Sequence, residues 1–180
     1  MFETIIALDS SLTSTISATL PHNLFFDTFF SLLSVRGLTI IIWFALFCLF
    51  WYEERKDRTH HHFLISFMTS FGTTAVLVNI ILKNIIERTR PWIEMGLTNT
   101  GCPADYSFPS GHASSAFAGA VVFAYFDKKR AWLYYTIAFL ISLSRIYLSC
   151  HYLLDVVVGA LIGYTIGVFS IKILRKVKIV

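Results

Sequence analysis

Apolar residues of this chain are gathered into long runs, and short polar segments separate one run from the next. A helix needs roughly 20 apolar residues to cross a hydrocarbon core about 30 Å thick. Five runs can do so, and they occupy residues 35–52, 63–83, 109–126, 131–148 and 151–171. The pattern predicts an all-α fold, a polytopic membrane helical bundle of five to six transmembrane helices.

Residues 1–34 are less apolar than the rest and contain two weaker apolar stretches. We predict that this N-terminal region is amphipathic and lies at the membrane interface, ahead of a transmembrane domain over residues 35–180. A sixth span folded from residues 4–33 is the alternative. No secretory signal peptide is predicted, because residues 1–20 lack a basic segment before an apolar one.

The composition favours a membrane protein over a soluble one. Hydrophobic residues make up 56% of the 180 residues and charged residues 14%, whereas about a quarter of the residues in a soluble domain are charged. The mean hydropathy of +0.65 points the same way.

The distribution of lysine and arginine predicts the orientation in the membrane. If five helices alternate, one side carries Arg55, Lys56, Arg58, Lys128, Lys129, Arg130, Lys172, Arg175, Lys176 and Lys178. By the positive-inside rule this side is the cytoplasm. The other side carries Arg36, Lys83, Arg88, Arg90 and Arg145. We therefore predict a multi-pass protein of the plasma (inner) membrane whose site opens on the extracytoplasmic face.

Two polar segments on the extracytoplasmic side contain groups suited to an anion. Lys83 precedes Arg90 by seven positions, so on a continuing helix both would lie on nearly the same face. The segment 109–112, Pro-Ser-Gly-His, begins the third span. A helix N-terminus favours negative charge, and glycine lets backbone N–H groups approach a ligand.

A third polar segment combines Arg145 with His151 and Asp155. The last two are four positions apart and therefore share one helix face. The carboxylate can then accept the Nδ1–H of the imidazole and leave Nε2 free. A carboxylate inside an apolar span is costly and marks a functional site.

The cations decide which ligand the three segments favour. His112, His151 and Asp155 are possible zinc ligands, but three neighbouring cations would repel Zn²⁺. The same cations suit a tetrahedral oxyanion, which arginine binds through two parallel hydrogen bonds. Phosphate is the predicted ligand.

In residue types, order and spacing, the three segments resemble the three-part signature of the type 2 phosphatidic acid phosphatase superfamily, over roughly residues 63–170. The resemblance implies a metal-independent membrane phosphohydrolase that needs no cofactor. It implies that His151 is the nucleophile, that Asp155 orients it and that His112 is the general acid. It also implies that the phosphate is bound by Lys83, Arg90, Ser110, Gly111 and Arg145.

The resemblance implies a lipid phosphomonoester or diphosphate as substrate, in the bilayer, with no nucleic acid or metal as partner. An extracytoplasmic site favours undecaprenyl diphosphate, and phosphatidate and phosphatidylglycerophosphate are the alternatives. A non-catalytic protein that binds lipid head groups, a vanadate-dependent peroxidase and a phosphotransferase are the other functions considered. The peroxidases are soluble, which disfavours that class.

Cys102 and Cys150 both fall on the predicted extracytoplasmic side. Disulfides form in such oxidising surroundings. A bond between them would tether the loop of residues 92–108 over the site, and the sequence leaves open whether it forms.

Overall fold

A computed structural model of the chain describes residues 2–34, 37–57, 62–98 and 101–176, and within these ranges the regular structure is entirely helical. The α-helices are α1 (Phe2–Thr19), α2 (Leu24–Ser34), α3 (Leu38–Asp57), α4 (Phe63–Ala75), α5 (Lys83–Ile86), α6 (Pro91–Glu94), α7 (Gly111–Phe126), α8 (Ala131–Tyr147) and α9 (Leu153–Lys176). A π-helical segment, Val76–Leu82, joins α4 to α5, and a 3₁₀ turn, Lys128–Arg130, precedes α8. The predicted cations Arg36, Arg58 and Lys178 lie outside the described residues.

Two helical stretches of the described residues are long and apolar enough to cross a membrane, Phe63–Glu94 and Leu153–Lys176. The pair α2 and α3, bent by 52°, becomes a third if it forms one span. The remaining predicted spans correspond to α7 and α8, which have 16 and 17 residues and are therefore only about 24–26 Å long. The count of five to six spans stays a prediction.

Helices α7 and α9 lie against each other in parallel. A Cβ atom added to Gly159 would lie 2.6 Å from the carbonyl O of Ser110, and one added to Gly163 would overlap the carbonyl O of Ser114. The spacing of four residues on both helices keeps them in register. Small residues let helix backbones approach this closely, so the glycines fix the position of α9 relative to the start of α7.

Aromatic side chains fill the bundle at the end away from the start of α7. Phe123 of α7 lies between Phe50 of α3, Phe63 of α4 and Tyr134 of α8, with ring centroids 5.1–5.5 Å from its own. All four are buried. Such pairs add to the stabilisation that burial of their area provides, and the cluster joins α3, α4, α7 and α8 into one bundle.

The N-terminal helices α1 and α2 pack onto the bundle. The ring of Phe30 on α2 lies 4.5 Å from that of Tyr147 at the end of α8, centroid to centroid. Buried polar side chains of α1 contact the start of α9. Both helices also leave large apolar side chains exposed, among them Leu8 and Leu24. Their placement at a membrane interface stays a prediction.

Candidate active site

The three polar segments meet at the end of the bundle where α7 and α9 begin. Pro91 holds Arg90 in an extended conformation, with φ −84° and ψ 151°, because a residue before proline is excluded from the helical region. Helix α5 has already ended at Ile86, because Glu87 adopts a left-handed conformation with φ 51°. Lys83 and Arg90 therefore do not lie on one continuing helix, contrary to the prediction from their spacing. Nη1 of Arg90 lies 3.0 Å from Nε2 of His151. The backbone N–H of Ser110 donates to the carbonyl O of Asp155 at 2.9 Å, which joins the second segment to the third.

A cavity of about 570 Å³ opens at this junction and has a polar part and an apolar part. The polar part is lined by Asn79, Lys83, Arg90, Asp105, Gly111, His112 and His151. The apolar part is lined mainly by side chains of α3 and α4, among them Trp43, Phe44, Phe47, Phe67 and Phe71. Ile40 and Met68 line this part as well and are exposed on the bundle surface, so the apolar part borders the face that lipid would cover.

His151 and Asp155 form a buried pair. Nδ1 of His151 lies 3.5 Å from Oδ2 of Asp155, and the two side chains are 1% and 0% exposed. The same Oδ2 accepts hydrogen bonds from the backbone N–H of Tyr152 at 2.9 Å and from the hydroxyl of Ser107. Arg88 donates to Oδ1 at 2.7 Å. Asp155 is thus held by groups on three segments of the chain.

The other ring nitrogen of His151 faces the cavity. A guanidinium group has no acceptor, so its 3.0 Å contact with Nε2 of His151 requires that this nitrogen carry a lone pair. The ring proton then lies on Nδ1, toward Asp155. In this tautomer the lone pair that could act as a nucleophile is on Nε2, where it accepts from Arg90.

Three of the predicted phosphate ligands are buried cations. Lys83, Arg90 and Arg145 are 5%, 1% and 1% exposed. Nη1 of Arg145 donates to the Ser34 hydroxyl, but its Nε and Nη2 have no hydrogen-bond partner among the described residues. Buried donors are normally paired, and leaving them unpaired costs free energy. The pattern indicates a site built for an anion.

Asp105 forms ion pairs with the other two cations. Its carboxylate pairs with Lys83 and with Nη2 of Arg90, the latter at 2.6 Å. Burial raises the pKa of the Asp105 carboxyl, but hydrogen bonds and positive charges from Lys83 and Arg90 outweigh burial and hold the pKa below its ordinary value. A carboxylate therefore lies where two predicted phosphate ligands point.

The loop that carries Asp105 is covalently tied to the site. Cys102 and Cys150 form a disulfide, with their Cα atoms 5.5 Å apart. The bond joins the loop to the residue that precedes His151. The disulfide that the sequence left open is therefore present, and it tethers the loop over the site.

The structure places the predicted site residues in two layers. Those that line the cavity are Lys83, Arg90, Gly111, His112 and His151. Arg145, Ser110 and Asp155 lie behind them and are buried. The hydroxyl of Ser110 accepts from the backbone N–H of Ala113 at 3.4 Å and so caps α7.

Asn79 of the π-helical segment makes the closest approach to Gly111. A Cβ added to Gly111 would collide with Oδ1 of Asn79. π-Helical turns are rare and occur frequently at functional sites. Here the turn brings a carboxamide into an apolar span beside the start of α7.

Ser107, Asp105 and Asn79 contact or line the site and were not predicted as site residues. Ser107 and Asp105 lie in the loop just before Pro109, and the only signal for them is closeness in sequence to segment 109–112. Arg88 was predicted on the extracytoplasmic side of the membrane but without a role. Asp9 and Thr13 could not be predicted from the sequence as neighbours of the site, because their contacts join residues more than 75 positions apart.

Comparison with known proteins identifies the family of the chain. Residues 63–179 match the family model described as PAP2 superfamily. The chain is 31% identical over 135 residues to undecaprenyl-diphosphatase from Sulfolobus acidocaldarius, a match covering 73% of this chain and 63% of the relative. It is 34% identical over 120 residues to phosphatidylglycerophosphatase B from Bacillus subtilis, covering 58% of this chain and 57% of the relative. These matches span less than two thirds of either relative's length.

Two solved structures share the arrangement of helices. The crystal structure of Aquifex aeolicus LpxE superposes with a TM-score of 0.67 at 29% identity, over 90% of this chain and 93% of that one. A transmembrane PAP2 type phosphatidylglycerolphosphate phosphatase from Bacillus subtilis superposes with a TM-score of 0.74 at 22% identity, over 96% and 87%. The second likeness concerns the fold alone. With well over half of its length matched by the family model, the chain belongs to the PAP2 superfamily.

Proposed function

We propose that this chain is an integral membrane lipid phosphatase that hydrolyses a lipid phosphomonoester or diphosphate through a phosphohistidine at His151. The observation that carries the proposal is the environment of that imidazole. Its Nδ1 faces Asp155 and its Nε2 faces Arg90, and two nitrogens of the buried Arg145 have no hydrogen-bond partner among the described residues. Binding of an anion alone would need the cations and no oriented nucleophile.

The proposed first step transfers the phosphoryl group to the protein. Nε2 of His151 attacks phosphorus in line with the lipid oxygen, and the electron pair of the breaking P–O bond leaves with that oxygen. His112, on the same cavity wall, donates a proton to the leaving oxygen. Lys83, Arg90 and Arg145 stabilise the charge on the equatorial oxygens, which is the main task in phosphoryl transfer.

The proposed second step releases phosphate. Water gives a proton to the now neutral His112 and attacks phosphorus, and the P–N bond to His151 breaks. Asp105 has to leave Lys83 and Arg90 before either step, because its carboxylate holds both cations. The loop can swing only as far as the Cys102–Cys150 bond permits.

The aromatic part of the cavity supports a lipid as the substrate. Trp43, Phe44 and Phe67 line a path from the cations to the apolar surface of the bundle. Burial of apolar surface contributes about 25 cal/mol per Å². A phosphate at the cations would place a hydrocarbon chain on these rings.

Among lipid phosphates we propose undecaprenyl diphosphate, with phosphatidate and phosphatidylglycerophosphate as alternatives. One relative is named undecaprenyl-diphosphatase and another phosphatidylglycerophosphatase. An extracytoplasmic site suits a polyprenyl diphosphate released on that leaflet. The directions of the helices support this face, because α7 and α9 begin at the site and end beside Lys128 and Arg175.

Phosphate release from the purified protein tests the proposal. We expect the wild type to release phosphate, His151→Ala to release none, and EDTA to leave the rate unchanged, because the three cations take the place of a metal. Comparing kcat/KM across the three lipids identifies the substrate. If the wild type binds these lipids without releasing phosphate, the protein is a head-group-binding protein and the proposed function is wrong.

A further inference from the structure

Arg88 joins two buried carboxylates that belong to opposite ends of the chain. Its Nη1 donates to Oδ1 of Asp155 and its Nη2 to Oδ2 of Asp9, both at 2.7 Å. The carboxylates are 0% and 1% exposed, and Arg88 itself is 18% exposed. The guanidinium carbon lies 3.9 Å from the ring centre of Tyr152, which stacks against it.

Helix α1 is fixed in place at the same point. The other oxygen of Asp9, Oδ1, accepts a hydrogen bond from the backbone N–H of Leu154 at 2.9 Å. The hydroxyl of Thr13 accepts a hydrogen bond from the backbone N–H of Leu153, also at 2.9 Å. The first N–H groups of a helix have no partner within it. α1 therefore supplies the caps for α9 from another part of the chain.

The Arg88 bond holds one oxygen of Asp155, while Ser107 and the backbone N–H of Tyr152 hold the other. Rotation of the carboxylate about its Cβ–Cγ bond would break these bonds, so Oδ2 stays toward Nδ1 of His151. Arg88 also lies between the charges of Asp9 and Asp155, which would otherwise repel each other. Removal of one partner from a buried charged group leaves the other uncompensated.

We propose that Arg88, held by Asp9 of α1, is a positioning residue that fixes the Asp155 carboxylate against His151, so that the N-terminal helix takes part in catalysis. The inference rests on the proposed function, since it concerns how the nucleophile of that reaction is oriented. Arg88 does not line the cavity and acts on the substrate only through Asp155.

Steady-state kinetics of four variants test this role. Arg88→Gln removes the charge, and we expect kcat to fall about 10- to 100-fold, as when groups supporting a reacting histidine are lost, with KM within about two-fold of the wild type. Arg88→Lys keeps the charge and should restore part of kcat. Asp9→Asn keeps an acceptor for Leu154 but removes the charge on Arg88's partner, and should lower kcat less than Arg88→Gln. In the double variant that combines Arg88→Gln with Asp9→Asn, the second substitution should lower kcat no further, because the two residues act as one unit.

Thr13→Val is the matched control for the docking of α1. It removes the cap on Leu153 without touching Arg88 or Asp155, so it should lower the thermal midpoint and leave kcat unchanged. A fall in kcat for Thr13→Val as large as that for Asp9→Asn would mean that α1 has only a structural role, and would overturn the proposal.

The wild type and His151→Ala, measured in parallel, separate the two proposals. If the wild type turns over while Arg88→Gln and Asp9→Asn keep kcat within two-fold of it, the positioning role is wrong and the proposed function stands. If the wild type releases no phosphate from any of the three lipids, both are wrong. Should Arg88→Gln not fold, as judged by its thermal midpoint, Arg88→Lys and Asp9→Asn decide.

Discussion

Asp105 places a carboxylate on two of the cations that a phosphate would need. Its side chain is half exposed and lies on a loop, so it can move aside without unfolding the bundle. Lys83 and Arg90 meanwhile stay paired and buried. Asp105 thus compensates two buried positive charges, and it would compete with the substrate for them.

Asp105→Asn removes this competition. We expect inorganic phosphate to inhibit the variant about five-fold more strongly, the effect of roughly 1 kcal/mol for an ion pair of this exposure. The pKa of the Asp105 carboxyl is lowered, so the group is ionised throughout the neutral range and its ion pairs are lost only as the pH falls through that pKa. The ratio of the inhibition constant of phosphate for the wild type to that for Asp105→Asn should therefore be constant from pH 5 to 8. A ratio near one would show that Asp105 does not compete with phosphate.

Arg90 uses the planar shape of its guanidinium as well as its charge. Its Nη1 contacts His151 and the carbonyl O of Cys150, while Nη2 and Nε bind Asp105. Arg90→Lys keeps the charge but cannot hold these directions together. We expect kcat/KM to fall roughly tenfold or more. This loss should stay smaller than the 10²- to 10³-fold loss of rate that follows removal of an entire hydrogen-bond donor. Arg55→Lys, at the other end of the bundle, is the control and should match the wild type. Equal activity of both variants would mean that Arg90 contributes only a point charge.

At the scale of helices, sequence periodicity predicted where the main elements lie. It did not predict how His151 and Asp155 meet, because His151 precedes α9 and does not share a helix face with Asp155. Asp155 lies in the first turn of α9, accepts the backbone N–H of Tyr152 and lies 3.5 Å from Nδ1 of His151. The π-helical turn of Val76–Leu82 could not be predicted, because its residues are as apolar as those of an α-helical span. Arg88 and Asp9 are 79 positions apart, and no local pattern records a contact that forms only when α1 folds over α9.

The contact of α7 with α9 sets the distance between segment 109–112 and the His151–Asp155 pair. Gly163→Ala should force the helices apart, because the new Cβ would overlap the carbonyl O of Ser114. We expect a loss of roughly 1–3 kcal/mol and a thermal midpoint lower by several degrees. Gly72→Ala on α4 is the control, since a Cβ there has no neighbour within 4 Å among the described residues. An unchanged midpoint for Gly163→Ala would contradict the close packing.

For the molecule as a whole, the Cys102–Cys150 disulfide closes a loop across the site with a sequence separation of 48 residues. Loop-closure entropy gives such a bond about 4 kcal/mol of stability. Cys102→Ser should lower the thermal midpoint markedly, whereas Cys48→Ser, which alters a free cysteine of α3, should lower it less. The proposed extracytoplasmic placement of the site predicts the same bond in protein purified from membranes.

Alkylation followed by intact-mass measurement checks that bond directly. One of the three cysteines should be modified before reduction and all three after it, in unfolded protein. Modification of all three without a reductant would contradict the disulfide. It would also remove a reason for placing the site on an oxidising face of the membrane.

Trapping of the phosphoenzyme tests the mechanism most directly. The purified protein is mixed with undecaprenyl diphosphate carrying ³²P in its terminal phosphate, quenched with alkali and separated from lipid. We predict label on the wild type that survives base, is lost in acid and maps to the peptide containing His151, with none on His151→Ala. Phosphate release by the wild type with no acid-labile label at any quench time, or undiminished label on His151→Ala, would contradict a phosphohistidine at this residue.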